Sequence, residues 1–134
     1  MSVHVRFQVG DESFALPVRQ VLEVADLGPL APVPGAPPSV LGVRNLRGQV
    51  LPVIDLATVL GTARANDLAT RLVIAEEGGR RAGLAIDAVT DVAELPGPMQ
   101  DTESPFLSGS TLVQNDLVGV VDLEGVFAAV EGSA

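Results

Sequence analysis

Gly42 to Leu56, reading GVRNLRGQVLPVIDL, joins the apolar run Val40 to Val43 to a second run, Val50 to Ile54. Between them stands the turn-forming Asn45-Leu46-Arg47-Gly48, so the pattern predicts a β-hairpin. Every position from Val50 to Ile54 is apolar, which predicts a strand covered on both faces. Arg44 and Arg47 then project from an otherwise apolar element. Asp55 is placed to cap a short helix, Leu56 to Leu60, by accepting from its first backbone N–H groups, with Gly61 ending it.

Working outward, Val3, Val5, Phe7 and Val9 alternate with His4, Arg6 and Gln8, the period of a half-buried strand. His4 falls on its polar face and reads as a surface residue. After the turn at Gly10-Asp11-Glu12, the alternation resumes in Phe14, Leu16 and Val18, and a third strand covers about Val21 to Val24. Gly28 to Pro38 holds five of the ten prolines and cannot join a ladder, because each proline removes a backbone donor. It reads as a stiff connector, and Thr62 to Thr70 as a crossover linker.

The second half repeats the first. Ala15-Leu16-Pro17-Val18, then Val21, Glu23 and Val24, match Gly83-Leu84-Ala85-Ile86, then Val89, Asp91 and Val92, at an offset of 68 residues. At an offset of 67, Pro38 to Gly42 match Pro105 to Gly109, and Val53-Ile54-Asp55-Leu56 match Val120-Val121-Asp122-Leu123. The fold class expected is therefore all-β: two five-stranded barrels related by internal duplication, each closed by a short capped helix. The units are approximately 1–67 and 68–134, and the pattern leaves open which barrel the N-terminal strand joins. Arg44 and Arg47 belong to the first unit only, since Thr111 and Gln114 replace them. Shared positions suit the scaffold, and unshared ones suit function.

Composition narrows the chemistry. The chain has 134 residues, enough for a core that buries roughly two thirds of the unfolded surface. There is no cysteine, so thiolate metal sites, disulfides and a cysteine nucleophile are excluded. The net charge of −9 argues against nucleic-acid and anionic-lipid affinity. All eight basic residues are arginines, five of them among residues 1–67 with six acids, and three among residues 68–134 with eleven acids. No apolar run approaches the ~20 residues of a membrane span, and no secretory leader is legible. A lone His4, with no phosphate loop, HExxH or GxSxG pattern, gives catalysis no residues to run it. Gly78-Gly79 reads as a hairpin turn. Catalytic, cofactor and metal residues are expected to be none.

Phe7-Gln8-Val9-Gly10-Asp11-Glu12, Phe14 to Val18, Val21 to Val24, Pro34 to Pro37, the Asn45-Leu46-Arg47-Gly48 turn and Leu51 to Leu56 together resemble the CheW family of chemotaxis coupling proteins. Gly83 to Val89 and Leu117 to Leu123 continue the resemblance, which spans one domain over residues 3–131. It implies SH3-like barrels packed around a shared interface. It also implies a non-catalytic cytoplasmic adaptor at membrane-associated receptor arrays, coupling methyl-accepting chemoreceptor cytoplasmic tips to the regulatory domain of a CheA-type histidine kinase. Related pathways controlling pili or gliding would share these motifs, and a non-signalling interaction module is the more distant alternative. Carried over by position, Arg47 with Val18, Val21 and Glu23 would line the receptor-binding groove. Gly42, Val43 and Arg44 would contact the kinase.

Overall fold

The computed structural model describes residues 2–63 and 69–131, in which ten strands and two helices run in two repeats. The first repeat holds β1 (Val3–Val9), β2 (Glu12–Pro17), a 3-10 turn (Val18–Gln20), β3 (Val21–Asp26), β4 (Val40–Leu46), β5 (Gln49–Asp55) and α1 (Leu56–Leu60). The second holds β6 (Arg71–Glu77), β7 (Arg80–Ile86), β8 (Ala88–Glu94), β9 (Leu107–Val113), β10 (Asp116–Val121) and α2 (Leu123–Glu131). The crossover linker read at Thr62 to Thr70 has its middle, residues 64–68, outside the described residues, as does the unit boundary at 67 and 68.

The strands form two five-stranded sheets of SH3-like barrel type, and each repeat lends its first hairpin to the other's sheet. One sheet has the order β8-β1-β2-β10-β9, the other β3-β6-β7-β5-β4. The exchange is made by two equivalent parallel pairings, Ser13 with Val118 to Ala15 with Val120, and Gly83 with Val53 to Ala85 with Asp55. The N-terminal strand thus joins the barrel built mainly from the second repeat.

Exchange also shapes the core. β6 buries Leu72, Val73, Ile74 and Ala75 in succession, and β7 buries Ala82 to Ile86, so this hairpin is covered on both faces. Leu72 and Ile74 face a cluster with Leu51, Val53 and Ala85, while Val73, Ala75, Leu84 and Ile86 join Phe7, Val9, Phe14 and Leu16 in the larger core between the sheets. Fully burying such a side chain stabilises the fold by about 1.5–3 kcal/mol. α1 and α2 add Leu56, Leu123, Val126 and Phe127 to the same shared core.

Three local expectations are corrected. β5 is not covered on both faces: Leu51, Val53 and Ile54 are buried, but Val50 is 61% exposed and Pro52 is also exposed. Its apolar run reflects a solvent-facing row rather than a second packed layer. His4 is not a surface residue; it is only 6% exposed, and its Nδ1 lies 3.1 Å from the Ser2 carbonyl oxygen. Asp55 occupies the helix N-cap position without a side-chain bond to the helix backbone, and its Oδ2 accepts from the Thr58 hydroxyl at 2.7 Å. Asp122 does cap α2, accepting from Gly125 N at 3.2 Å, and Gly61 ends α1 in the left-handed region at φ 70°.

Candidate functional site

The β4–β5 turn consists of Arg47 and Gly48 alone, since Leu46 pairs with Gln49. Their φ values, 51° and 82°, are those of a type I′ turn, which follows the right-handed twist of the flanking strands. Gly48 adopts this freely, whereas Arg47 carries a side chain into a region that disfavours one by roughly 1 kcal/mol. Gly48 N donates to Asn45 Oδ1 at 3.0 Å, which fixes the turn. Arg47 is therefore held by its backbone at the tip of a rigid hairpin. Its guanidinium Nη2 donates to Glu23 Oε2 of β3, and the two side chains are 70% and 33% exposed.

Glu23 lies beyond an irregularity in β3, where Val21 pairs with Ala75 but Glu23 with Ile74. The extra residue, Leu22, bulges outward and is exposed. Val21 packs half-buried against the shared core, and Val18 on the preceding 3-10 turn is exposed. Arg47, Glu23, Val21 and Val18 thus follow the hairpin tip and one edge strand of the same barrel, with the ion pair joining Arg47 to Glu23 directly.

Gly42, Val43 and Arg44 do something different, because the proline-rich connector lies against them. Ala31 N donates to the Val43 carbonyl at 2.9 Å and Val43 N to the Ala31 carbonyl at 2.8 Å, a bridge that covers the outer edge of β4. Gly42, at φ 151°, leaves room for this: a Cβ there would stand 2.5 Å from the Ala31 carbonyl oxygen. Arg44 donates from Nε to the Leu27 carbonyl at 3.1 Å and from Nη1 to the Asn45 carbonyl at 2.6 Å, with its guanidinium over Gly28. These three residues anchor the connector, a contact for which their sequence gives no signal.

In the second barrel, Asp91 stands where Glu23 does in the first. Its arginine comes from β1: Arg6 donates from Nε and Nη2 to both carboxylate oxygens at 2.6 Å. That fork holds the Asp91 carboxyl below its ordinary pKa and raises the Arg6 guanidinium, chiefly through the hydrogen bonds. The β9–β10 turn carries Gln114 and Asn115, at φ 51° and 69°, with no arginine. Behind it Leu112 and Leu117 pair across the strands, 59% and 58% exposed, where the first barrel has Asn45 and Val50. Sequence reading missed both leucines, since a strand pattern does not tell which of its apolar positions stays uncovered.

Among the described residues, no group of three or more His, Asp or Glu side chains is placed to hold a metal ion. Among the same described residues, no helix is long and apolar enough to cross a membrane.

A family described as the CheW-like domain matches residues 4–131. The chain is 34% identical over 139 residues to the chemotaxis protein CheW of Rhizobium meliloti, covering 97% of this chain and 90% of that protein. It is 38% identical over 121 residues to the protein FrzA of Myxococcus xanthus, covering 89% and 73%. Among solved structures, the scaffolding protein TtCheW from Thermoanaerobacter tengcongensis superposes with a TM-score of 0.81 at 28% identity, covering 94% of this chain and 92% of that one.

Proposed function

This chain belongs to the CheW-like domain family, and from that membership we propose that it is a non-catalytic adaptor of chemotaxis signalling. It couples the cytoplasmic tips of methyl-accepting chemoreceptors to the regulatory domain of a CheA-type histidine kinase. It works in the cytoplasm at receptor arrays, with no nucleic acid, no membrane insertion and no cofactor.

The observation that carries this reading is the presentation of Arg47. A chemoreceptor tip is helical, and an apolar helix stripe would rest on Val18 and Val21 while Arg47 and Glu23 at the edge fix its register. Because the ion pair is exposed, it adds at most about 1 kcal/mol to stability. Breaking it therefore costs the fold little, so Arg47 is available to a partner. Signalling follows if the two receptor states differ in their contacts with this edge, since a ligand shifts an equilibrium only by its differential affinity. Gly42, Val43 and Arg44 would shape the kinase-facing side of the hairpin.

Calorimetric titration of the protein into its cognate kinase regulatory domain, followed by receptor-coupled kinase assays, tests the proposal. Arg47→Ala should leave the unfolding midpoint nearly unchanged, leave kinase-domain binding intact and lower receptor-coupled activity at least about tenfold. Full activity in this variant would sink the role given to Arg47. Failure of the folded protein to bind any kinase regulatory domain would sink the adaptor reading. The likeness to FrzA keeps a related pathway in view, and the same titration against kinases of the different pathways present in one cell separates the two.

A further inference from the structure

The connector between β8 and β9 turns back along β9, where Gln100 bridges to Ser110, and a cavity of about 300 Å³ opens beside it. Phe14, Leu107 and Gly119 give it an apolar floor, and the exposed Asp11, Glu12 and Asp116 an acidic rim. Ser110 stands cross-strand from Gly119, so its side chain belongs to the same face and turns into the cavity. Ser110 is 9% exposed, and its hydroxyl makes no hydrogen bond among the described residues. Among the same residues, Asp11 and Glu12 take part in no ion pair. Asp116 accepts from the Ser13 hydroxyl at 2.5 Å, and Arg6, whose charge reaches it, is already forked onto Asp91.

The first barrel builds the equivalent place differently. Val43 replaces Ser110, Gln49 replaces Asp116, and Arg80 and Arg81 replace Glu12 and Ser13. The cavity beside those arginines is about 90 Å³. Both are taken up within the chain, Arg80 by Glu131, and Arg81 by Glu76 and Gln49. The second barrel thus reverses the charge, opens the space and adds a hydroxyl with no partner. The fold of the repeat does not require any of these.

An apolar floor, an open hydroxyl and a surplus of carboxylates suit a side chain with an aliphatic stem and a cationic head rich in N–H groups. Leu112 and Leu117, both exposed, pair on the same face. We propose that the cavity takes an arginine side chain from a partner protein whose neighbouring apolar residues cover these two leucines. The guanidinium donates to Ser110 Oγ and pairs with Asp116 and Glu12, while its stem lies on Phe14 and Leu107. The site belongs to the other hairpin from Arg47 and stands independently of the adaptor reading.

The ¹⁵N-labelled protein is titrated with a capped Leu-Arg-Leu peptide and, in parallel, with the same peptide carrying citrulline, which keeps the shape and loses the charge. Saturable movement of the Ser110, Leu117 and Gly119 amide resonances with the arginine peptide, at least about fivefold weaker with citrulline, supports the site. Glu12→Gln should weaken binding about three- to fivefold. Ser110→Val, which copies Val43, should weaken it about tenfold while the protein stays folded. Equal affinity for the two peptides, movement with neither, or affinity unchanged in both variants overturns the site. Sedimentation of the protein alone tests the occupant. Self-association that Glu12→Lys abolishes would make the occupant a second copy of this chain and overturn the separate partner, whereas a monomer at every concentration supports it.

Discussion

The hairpins β4–β5 and β9–β10 are the same element twice, and they differ in what their edges carry. Both turn through two residues of positive φ, and both outer strands are bridged by the connector that precedes them, Ala31 to Val43 in one and Gln100 to Ser110 in the other. The first presents an arginine at its tip and a connector bound down by Arg44; the second presents a pair of exposed leucines. The shared parts satisfy backbone hydrogen bonds, which both copies require. The unshared parts divide: Arg44 ties down its connector, whereas Arg47, Leu112 and Leu117 stay largely exposed, Arg47 with a single ion pair to Glu23.

Equivalent substitutions in the two copies test how deep the likeness goes. Leu16 and Leu84 correspond at the offset of 68, and both are wholly buried in the shared core. Each change to alanine should destabilise by about 2–5 kcal/mol in urea unfolding. Values more than about 2 kcal/mol apart would show that the two hairpins are not packed alike.

Gly42 and Gly109 correspond at the offset of 67 and are expected to part company. A Cβ at Gly42 would meet a backbone oxygen at 2.5 Å and at a φ of 151°, whereas at Gly109 the nearest backbone oxygen is 3.1 Å away and φ is ordinary. Gly42→Ala should cost about 2–3 kcal/mol and Gly109→Ala about 1 kcal/mol or less, read from the same unfolding curves. Equal losses would erase the distinction.

The smallest effect concerns the acidic partners of β3 and β8. Arg6 holds the folded-state pKa of Asp91 down, so the stability it contributes is present above the ordinary carboxylate pKa and is lost as pH falls through the lowered one. Asp91→Asn should flatten the acid limb of a stability–pH profile below about pH 4 and change little near neutrality. An unchanged acid limb would remove Asp91 from that account.

The duplication was legible because both repeats need the same turns and the same buried rows, and those leave marks in sequence such as Gly83-Leu84-Ala85-Ile86 beside Ala15-Leu16-Pro17-Val18. The exchange of hairpins was not. β1–β2 and β6–β7 have similar apolar patterns, and nothing local says which β5 or β10 each will join; a parallel pairing of three residues decides it. Val50 misled because apolar atoms make up much of any folded surface, so an apolar run does not tell which faces are covered. The Arg47–Glu23 contact could not be read from a spacing of 24 residues, although each residue stood out by its motif.

The exchanged hairpins also say something about how such a chain is made. Ser13 finds its parallel partner in Val118, so the barrel that holds the first strands stays incomplete until the tenth is synthesised. Neither repeat can finish its own sheet. The arrangement is that of two short repeats trading their first hairpins within one chain. Cut between its repeats and unfolded, the chain would be expected to reassemble from its two pieces mixed together and from neither piece alone.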